Sequence, residues 1–217
     1  MARHPDRPNF RAYRDALADD FYELSGDRFF GDDPAVRGGL ARIGDHNVVL
    51  VGHDKGIDVN SRVKGNFGMA HPEGYRKVKR FYELAARFGL PVVVLVDTPG
   101  AFAGRGAEER GQAWAISADL MALARIPVPV ISAIIGEGCS GGALAMCATD
   151  YVGMLENSYL SVIAPEACAS IIFRDPGRAA ACPAHATGKP LNPKAFIMGI
   201  RDMSVEAEHG LPLIPNS

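Results

Sequence analysis

No apolar run in this sequence is long enough to cross a bilayer. The longest, Pro91 to Val96 and Pro127 to Ile135, fall far short of the roughly 20 residues a spanning helix needs. Nor does an apolar stretch follow the opening Met-Ala-Arg-His-Pro-Asp-Arg-Pro, so neither a secretory signal nor a membrane anchor is expected, and a soluble, cytoplasmic protein is. Charge of one sign is not in excess. The 23 Lys plus Arg stand against 25 Asp plus Glu, a net −2, whereas a dedicated nucleic-acid binder needs a basic face for its phosphate contacts. Cysteine is scarce as well. Cys139, Cys147, Cys168 and Cys182 have neither the paired short spacings of a zinc site nor the density of a disulfide scaffold. Since His53, His71 and His185 also lack ligand spacing, the expectation is no metal and reduced thiols. The single tryptophan, Trp114, is expected as an interface or core anchor.

What is present is ordinary globular material, 47% hydrophobic over 217 residues, enough for one large domain with a full core. Tyr13, Leu17, Phe21 and Leu24 recur at helical spacing and predict an amphipathic N-terminal helix. Arg37 to Ile43 and Asn47 to Val51 read as two strands around the turn-like Gly44-Asp45-His46. The stretch from Gly52 to Pro72 has no evident secondary structure and reads as a binding loop. From Glu73 a helix carries Tyr75, Val78, Tyr82, Ala85 and Phe88 on one stripe and stops at Gly89. Val92 to Val96 is a valine-rich strand of the doubly covered kind, broken at Asp97-Thr98-Pro99-Gly100. A second helix is expected from Glu108 and Glu109, burying Ala113, Ile116, Leu120 and Leu123. The unit then repeats: a strand at Pro129 to Ile135, a glycine-rich turn at Gly136 to Gly142 and a short apolar helix at Ala143 to Ala148. Tyr151 to Leu155 and Leu160 to Ala164 add short strands, and Pro165-Glu166 opens a helix toward Phe173. Strand, crossover helix and strand in this order imply right-handed parallel units. From Arg174 onward the sequence shows no long periodic helix, and its last residues read as frayed.

In an open α/β sheet, ligands collect outside the carboxyl ends of the strands, so the turns Gly100 to Gly106 and Gly136 to Gly142 are expected to flank one cleft. Neither turn has the order of a Walker loop or of a dinucleotide fingerprint. Glycine lets backbone N–H groups converge on a ligand, and a helix starting at Gly142 or Ala143 would present free N–H groups to negative charge. At a thioester or ureido carbonyl this makes an oxyanion hole, in which one donor is worth roughly 3 kcal/mol of transition-state stabilisation. The bland alternatives are tight turns for packing. Asp97 and Glu137 read either as cleft acids or as loop-orienting carboxylates, Cys139 as a nucleophile or a small filler, and Arg76, Lys77 and Lys79 as phosphate-attracting or merely solvated charges.

The same residues carry a family resemblance, across about Arg3 to Phe173. Its blocks include Gly26-Asp27-Arg28, Asn66-Phe67-Gly68-Met69, Pro72-Glu73-Gly74-Tyr75-Arg76-Lys77, Asp97-Thr98-Pro99-Gly100-Ala101, Gly106-Ala107-Glu108-Glu109-Arg110-Gly111-Gln112, Gly136-Glu137-Gly138, Ser140-Gly141-Gly142-Ala143-Leu144-Ala145 and Ser161-Val162-Ile163. On these the chain resembles the α subunits of bacterial acetyl-CoA carboxylase carboxyltransferase, within the ClpP/crotonase superfamily. The resemblance implies an α/β, crotonase-like fold of repeated ββα units, with residues 1–35 as an N-terminal helical segment, 36–173 as the core and 174–217 as a divergent tail. It also implies transfer of a carboxyl group from carboxybiotin on a biotin carboxyl carrier protein to a coenzyme A thioester, in a homo-oligomer completed by a β-type subunit. Gly141, Gly142, Ala143, Gly100 and Ala101 would then be the catalytic backbone, with Gly138, Cys139, Ser140, Phe102 and Gly106 lining the biotin side. Cys139 replaces the glycine usual in the family, Phe102 stands where a tyrosine is expected, and the closing helices expected past Phe173 are not legible. Two rival readings remain open: an acyl-thioester decarboxylase or hydrolase with the same cleft, and a noncatalytic structural partner.

Overall fold

The computed structural model describes residues 2–177. In chain order they form α1 (Phe10–Leu17), β1 (Asp20–Glu23), β2 (Val36–Ile43), β3 (His46–His53), α2 (Val59–Lys64), α3 (Pro72–Phe88), β4 (Val92–Thr98), α4 (Arg105–Glu109), α5 (Gln112–Arg125), β5 (Val130–Cys139), α6 (Ser140–Cys147), β6 (Tyr151–Met154), β7 (Tyr159–Ser161) and α7 (Pro165–Phe173). All seven strands join one sheet in the order β1-β2-β3-β4-β5-β6, with β7 also on β5. β1, β2 and β3 run antiparallel, and every later pairing is parallel. Parallel neighbours need a crossover, supplied in turn by α3, by α4 with α5, and by α6. This is the α/β, crotonase-like architecture anticipated from the sequence.

Both faces of the central strands are buried, and alternation decides which residue meets which core. Val49 and Val51 with Val92, Val94 and Val96 point to the face covered by α3, α5 and α6. Leu50, Leu95 and Ile135 point to the other face, where Phe10 of α1 lies buried. On α3, Tyr75, Val78, Tyr82 and Ala85 are buried as their spacing predicts, but Phe88 at the end of the stripe is exposed. Gly89 stops the helix at φ 66°, a left-handed position that suits glycine.

Four expectations need correction. The N-terminal helix ends at Leu17; Phe21 belongs instead to β1, whose residues pair with β2 from Asp20↔Arg42 to Glu23↔Gly39. The stretch from Gly52 to Pro72 is not structureless: it holds α2, whose N-cap Asp58 exchanges hydrogen bonds with Ser61, and a 3₁₀ turn at Asn66–Gly68. The second crossover helix is broken at Gly111 (φ 81°) and restarts at Gln112, so its buried stripe is Gln112, Ala115, Asp119 and Leu123; Leu123 is buried as expected, while Ala113 is exposed and Ile116 and Leu120 are half-buried. Finally, Gly136-Glu137-Gly138 is not a turn. β5 continues through it to Cys139, and the helix begins at Ser140. The expected tail, apart from its first residues to 177, lies outside the described residues.

Candidate active site

The extension of β5 is driven by two close approaches. A Cβ on Gly136 would collide with the Asp97 carboxylate, and one on Gly138 would lie 3.0 Å from the Tyr159 carbonyl oxygen. Glycine therefore lets β5 run between the end of β4 and β7, with Gly138 paired to Thr98 on one side and Leu160 on the other. The β4 register slips between Val96 and Thr98, and Asp97 Oδ1 accepts a hydrogen bond from the Glu137 N–H at 2.9 Å. The ends of β4 and β5 are thus tied to each other.

After β4 the chain turns at Pro99-Gly100-Ala101. Gly100 sits at φ 138°, a region open to glycine. Its N–H is taken by Thr98 Oγ1 at 3.0 Å, while the same hydroxyl donates to the Gly100 carbonyl at 2.8 Å. The Phe102 N–H is used as well, by the Ala70 carbonyl at 3.0 Å. Among the described residues the Ala101 N–H has no acceptor, which leaves it as this turn's open donor.

After β5 the chain enters α6 with no intervening loop. Ser140 makes the corner at φ 57°, a left-handed conformation that is strained for a residue with a Cβ. No side chain caps the helix, so the N–H groups of its first turn, Gly141 among them, are without intrahelical partners. The two turns touch at Gly142: a Cβ there would fall 2.6 Å from Ala101 N, 2.7 Å from the Tyr75 hydroxyl and 2.8 Å from the Gly100 carbonyl carbon.

Between these turns lies a cleft of about 380 Å³. It is lined by Gly100, Ala101, Phe102, Cys139, Ser140 and Gly141 of the residues singled out by sequence. Gly142 and Ala143 are buried behind that wall, and Gly138 is a strand residue inside the sheet. Gly106 lies on α4, where an added Cβ would face Arg110, and it does not line the cleft. Sequence reasoning missed Glu108 and Gln112, which also line it, together with the apolar Ile116, Val162 and Ile163. Gln112 is the most informative. Its Nε2 donates to the carbonyls of Ala70 at 2.8 Å and Phe102 at 2.9 Å, which fixes the amide and leaves Oε1 buried with no hydrogen-bond partner. Its position directly after the left-handed Gly111 was the available signal, because the first residues of the restarted helix face the strand-end turns.

Of the two readings of Asp97 and Glu137, the orienting one describes what is seen. Lys55 Nζ bridges them, 2.7 Å from Asp97 and 2.6 Å from Glu137, and Arg3 binds Glu137 and also Glu166 at 2.8 Å. Burial works against the Glu137 charge, yet Lys55, Tyr159 and Arg3 together hold its carboxyl below the ordinary glutamate range. This network ties the first residues of the chain across the strand ends. Cys139 is no nucleophile by these criteria: it is 1% exposed, and burial, aided by Glu137, pushes its thiol up. Arg76 and Lys77 are spent on structure, Arg76 on Asp27 at 2.7 Å and Lys77 on Asp32 at 2.5 Å, and Lys79 pairs with Glu83. His53 is wholly buried, which drives its pKa down to about 3, and the His71 ring stacks on Phe102 at 4.5 Å. Trp114 is 80% exposed, so it is not a core anchor. Among the described residues no helix is long and apolar enough to cross a membrane.

A scan of protein families matches residues 1–196 to the model described as acetyl co-enzyme A carboxylase carboxyltransferase-like. The chain belongs to this carboxyltransferase family. It is 84% identical over 179 residues to an acetyl-coenzyme A carboxylase carboxyl transferase subunit alpha of Rubrobacter xylanophilus, a match covering 82% of this chain and 56% of that protein. The subunit of the same description from Chlamydia caviae is 56% identical over 176 residues, covering 81% of this chain and 54% of its own. The chain thus spans about half the length of the curated carboxyltransferase relatives it matches. Among solved structures, the transcarboxylase 12S hexamer core superposes with a TM-score of 0.70 at 20% identity, over 100% of this chain and 44% of that one. The β subunit of P. aeruginosa geranyl-CoA carboxylase gives a TM-score of 0.65 at 21% identity, over 99% of this chain and 45% of that one. These two likenesses speak to the fold.

Proposed function

We propose that this chain forms the biotin-side half of a carboxyltransferase, taking a carboxyl group from carboxybiotin to the α carbon of an acyl-CoA. The observation that carries the reading is the meeting of two strand-end turns at Gly142, beside a cleft lined by Ala101 and Gly141, whose N–H groups have no protein acceptor among the described residues. Membership of the family supports it, as does the chemistry of the lining. A ureido ring offers one oxygen for N–H donors, and the cleft is lined by Ala101 and Gly141, whose N–H groups have no protein acceptor among the described residues.

When bound, carboxybiotin supplies a carboxyl group on a ureido nitrogen, held weakly enough to be passed on. The chain's own part is electrostatic. The Ala101 and Gly141 N–H groups, with the positive end of α6 behind them, hold the ligand oxygen on which negative charge collects, and they need no reorganisation to do so. The apolar Phe102, Ile116, Val162 and Ile163 line the cleft, and a ligand that covered them would displace water and so strengthen those hydrogen bonds. Among the described residues Glu108 and Cys139 are the titratable side chains in the wall, and neither would be required as a base if the bound ureido group supplied that chemistry. The reading places a β-type subunit opposite this cleft to complete the acyl-CoA site, a biotin carboxyl carrier protein as the donor's vehicle, further copies of the chain in the assembly, and the whole in the cytoplasm.

The test is reverse transfer. With a β-type subunit present, malonyl-CoA should be consumed in proportion to added biocytin; absence of transfer with every β-type partner tried would overturn the reading.

A further inference from the structure

Helix α3 buries two tyrosines in the main core, Tyr75 and Tyr82, and neither hydroxyl has a hydrogen-bond partner among the described residues. Burial, aided by the nearby Asp119, raises both phenols well above their usual range, so both keep their protons. An unpartnered buried hydroxyl costs stability that a phenylalanine ring of the same shape would not, so core packing by itself gives neither oxygen a reason to be there. The two differ in what they stand against. The Tyr75 oxygen is 2.7 Å from the point a Cβ on Gly142 would occupy, and that same point is 2.6 Å from the Ala101 nitrogen and 2.8 Å from the Gly100 carbonyl carbon. Gly142 thus has the hydroxyl and the Gly100-Ala101 peptide as close neighbours at once, at the junction where α6 starts and the turn after β4 passes. Tyr82 follows seven residues later on α3, about 10 Å away by the helix rise, and lines a groove with Met121, Ala122 and Ile126 instead.

We infer that Tyr75 is a positioning residue: its hydroxyl is a steric stop on Gly142, and through Gly142 it sets where the Ala101 and Gly141 N–H groups stand beside the cleft. Tyr75 does not line the cleft, and its oxygen is buried, so it acts on the reaction only through the backbone it touches. The stability lost by burying the hydroxyl is the counterpart of the geometry it fixes. The inference rests on the carboxyltransferase reading and goes beyond it, by giving a core side chain a part in the transfer step.

Tyr75→Phe and Tyr82→Phe delete the same atom from the same helix and so form a matched pair. Each removes an unpartnered buried hydroxyl, and each should melt about 2–4 °C above the parent. In reverse transfer with a β-type subunit, Tyr75→Phe should lower kcat about tenfold with the KM for malonyl-CoA unchanged, because a displaced donor is felt in the transition state and not in holding coenzyme A, while Tyr82→Phe stays within about twofold of the parent. A rise in stability with a fall in kcat is the opposite of what damage to the core produces. Amide exchange resolved by residue adds a readout that needs no turnover: the rates at Ala101 and Gly141 should change in Tyr75→Phe and stay as they are in Tyr82→Phe. Tyr75→Phe melting below the parent, an equal kcat in Tyr75→Phe and the parent, an equal fall in both variants, or unaltered exchange at Ala101 and Gly141 overturns the inference and leaves the carboxyltransferase reading standing. If the parent transfers nothing with any β-type partner, that reading falls instead, and the exchange comparison decides the inference alone.

Discussion

Gly142 meets Ala101 so closely that a single added methyl group would stand 2.6 Å from the Ala101 nitrogen. The start of α6 and the turn after β4 are thereby one unit: neither can shift without moving the other, and the two open amides keep a fixed spacing.

Gly142→Ala should therefore cost about 1–3 kcal/mol by overpacking, and reverse transfer should fall with it as the Ala101 N–H is displaced. Gly141→Ala is the contrast, since a methyl there would rest 3.6 Å from Ile116 Cδ1, an ordinary contact. Thermal melts and initial rates of the two variants check this. Equal effects at both positions would mean that the close approach does not set the pocket.

Asp119 is buried between α3 and α5 with both carboxylate oxygens unpartnered, and burial raises its pKa well above the usual aspartate value. With the folded value above the unfolded one, its favourable contribution is complete below about pH 4 and is lost as pH rises toward the folded pKa. Asp119→Asn should then melt above the parent at pH 8, with the gap closing as pH falls to 4. Melting curves across that range check it, and a gap that widens toward acid would contradict it.

Glu137 has the opposite sign. Its carboxyl is held down by Lys55, Tyr159 and Arg3, so the stability it adds is present above the unfolded glutamate pKa and fades as pH falls through the lowered folded value. Glu137→Ala leaves Lys55 and Arg3 short of a partner and should cost about 2–3 kcal/mol, below the full loss for a broken buried pair because Arg3 is half exposed. Hydrogen exchange should rise first in residues 2–9, whose anchor is lost, before it rises in β4 or β5.

Cys139 should alkylate slowly in the native protein and at an ordinary rate once unfolded, because burial keeps its thiol protonated. Cys139→Ala should retain transfer within about threefold, inside the usual cost of a small core change. Loss of activity comparable to that of the glycine variants would restore a chemical role for the thiol.

The hairpin of β2 and β3, the stripe of α3 and the valine-rich β4 were all legible, because each obeys one periodicity over a full element and ends on a residue with a local reason to stop it, such as Gly89. Misreadings arose where a glycine served a distant contact. Gly136 and Gly138 have the composition of a turn but sit in a strand, to admit the Asp97 carboxylate and the β7 backbone, partners 39 and 21 or more positions away that no local window contains. Gly111 shifted the α5 stripe by restarting the helix, and Phe21 fell at helical spacing while pairing as a strand. The turns that line the cleft were legible because their glycines follow strand ends. The Gln112 acceptor and the Thr98 hydroxyl that occupies the Gly100 N–H were not, since which amide stays open depends on hydrogen bonds and not on spacing.

The central claim is that the Ala101 and Gly141 N–H groups are open donors on one cleft. Amide hydrogen exchange, resolved by residue in the assembled protein with and without biocytin, tests it most directly. The account predicts fast exchange at both amides in the free protein and protection of both when biocytin binds. Two amides already protected without ligand, or unchanged by it at saturation, would contradict the account.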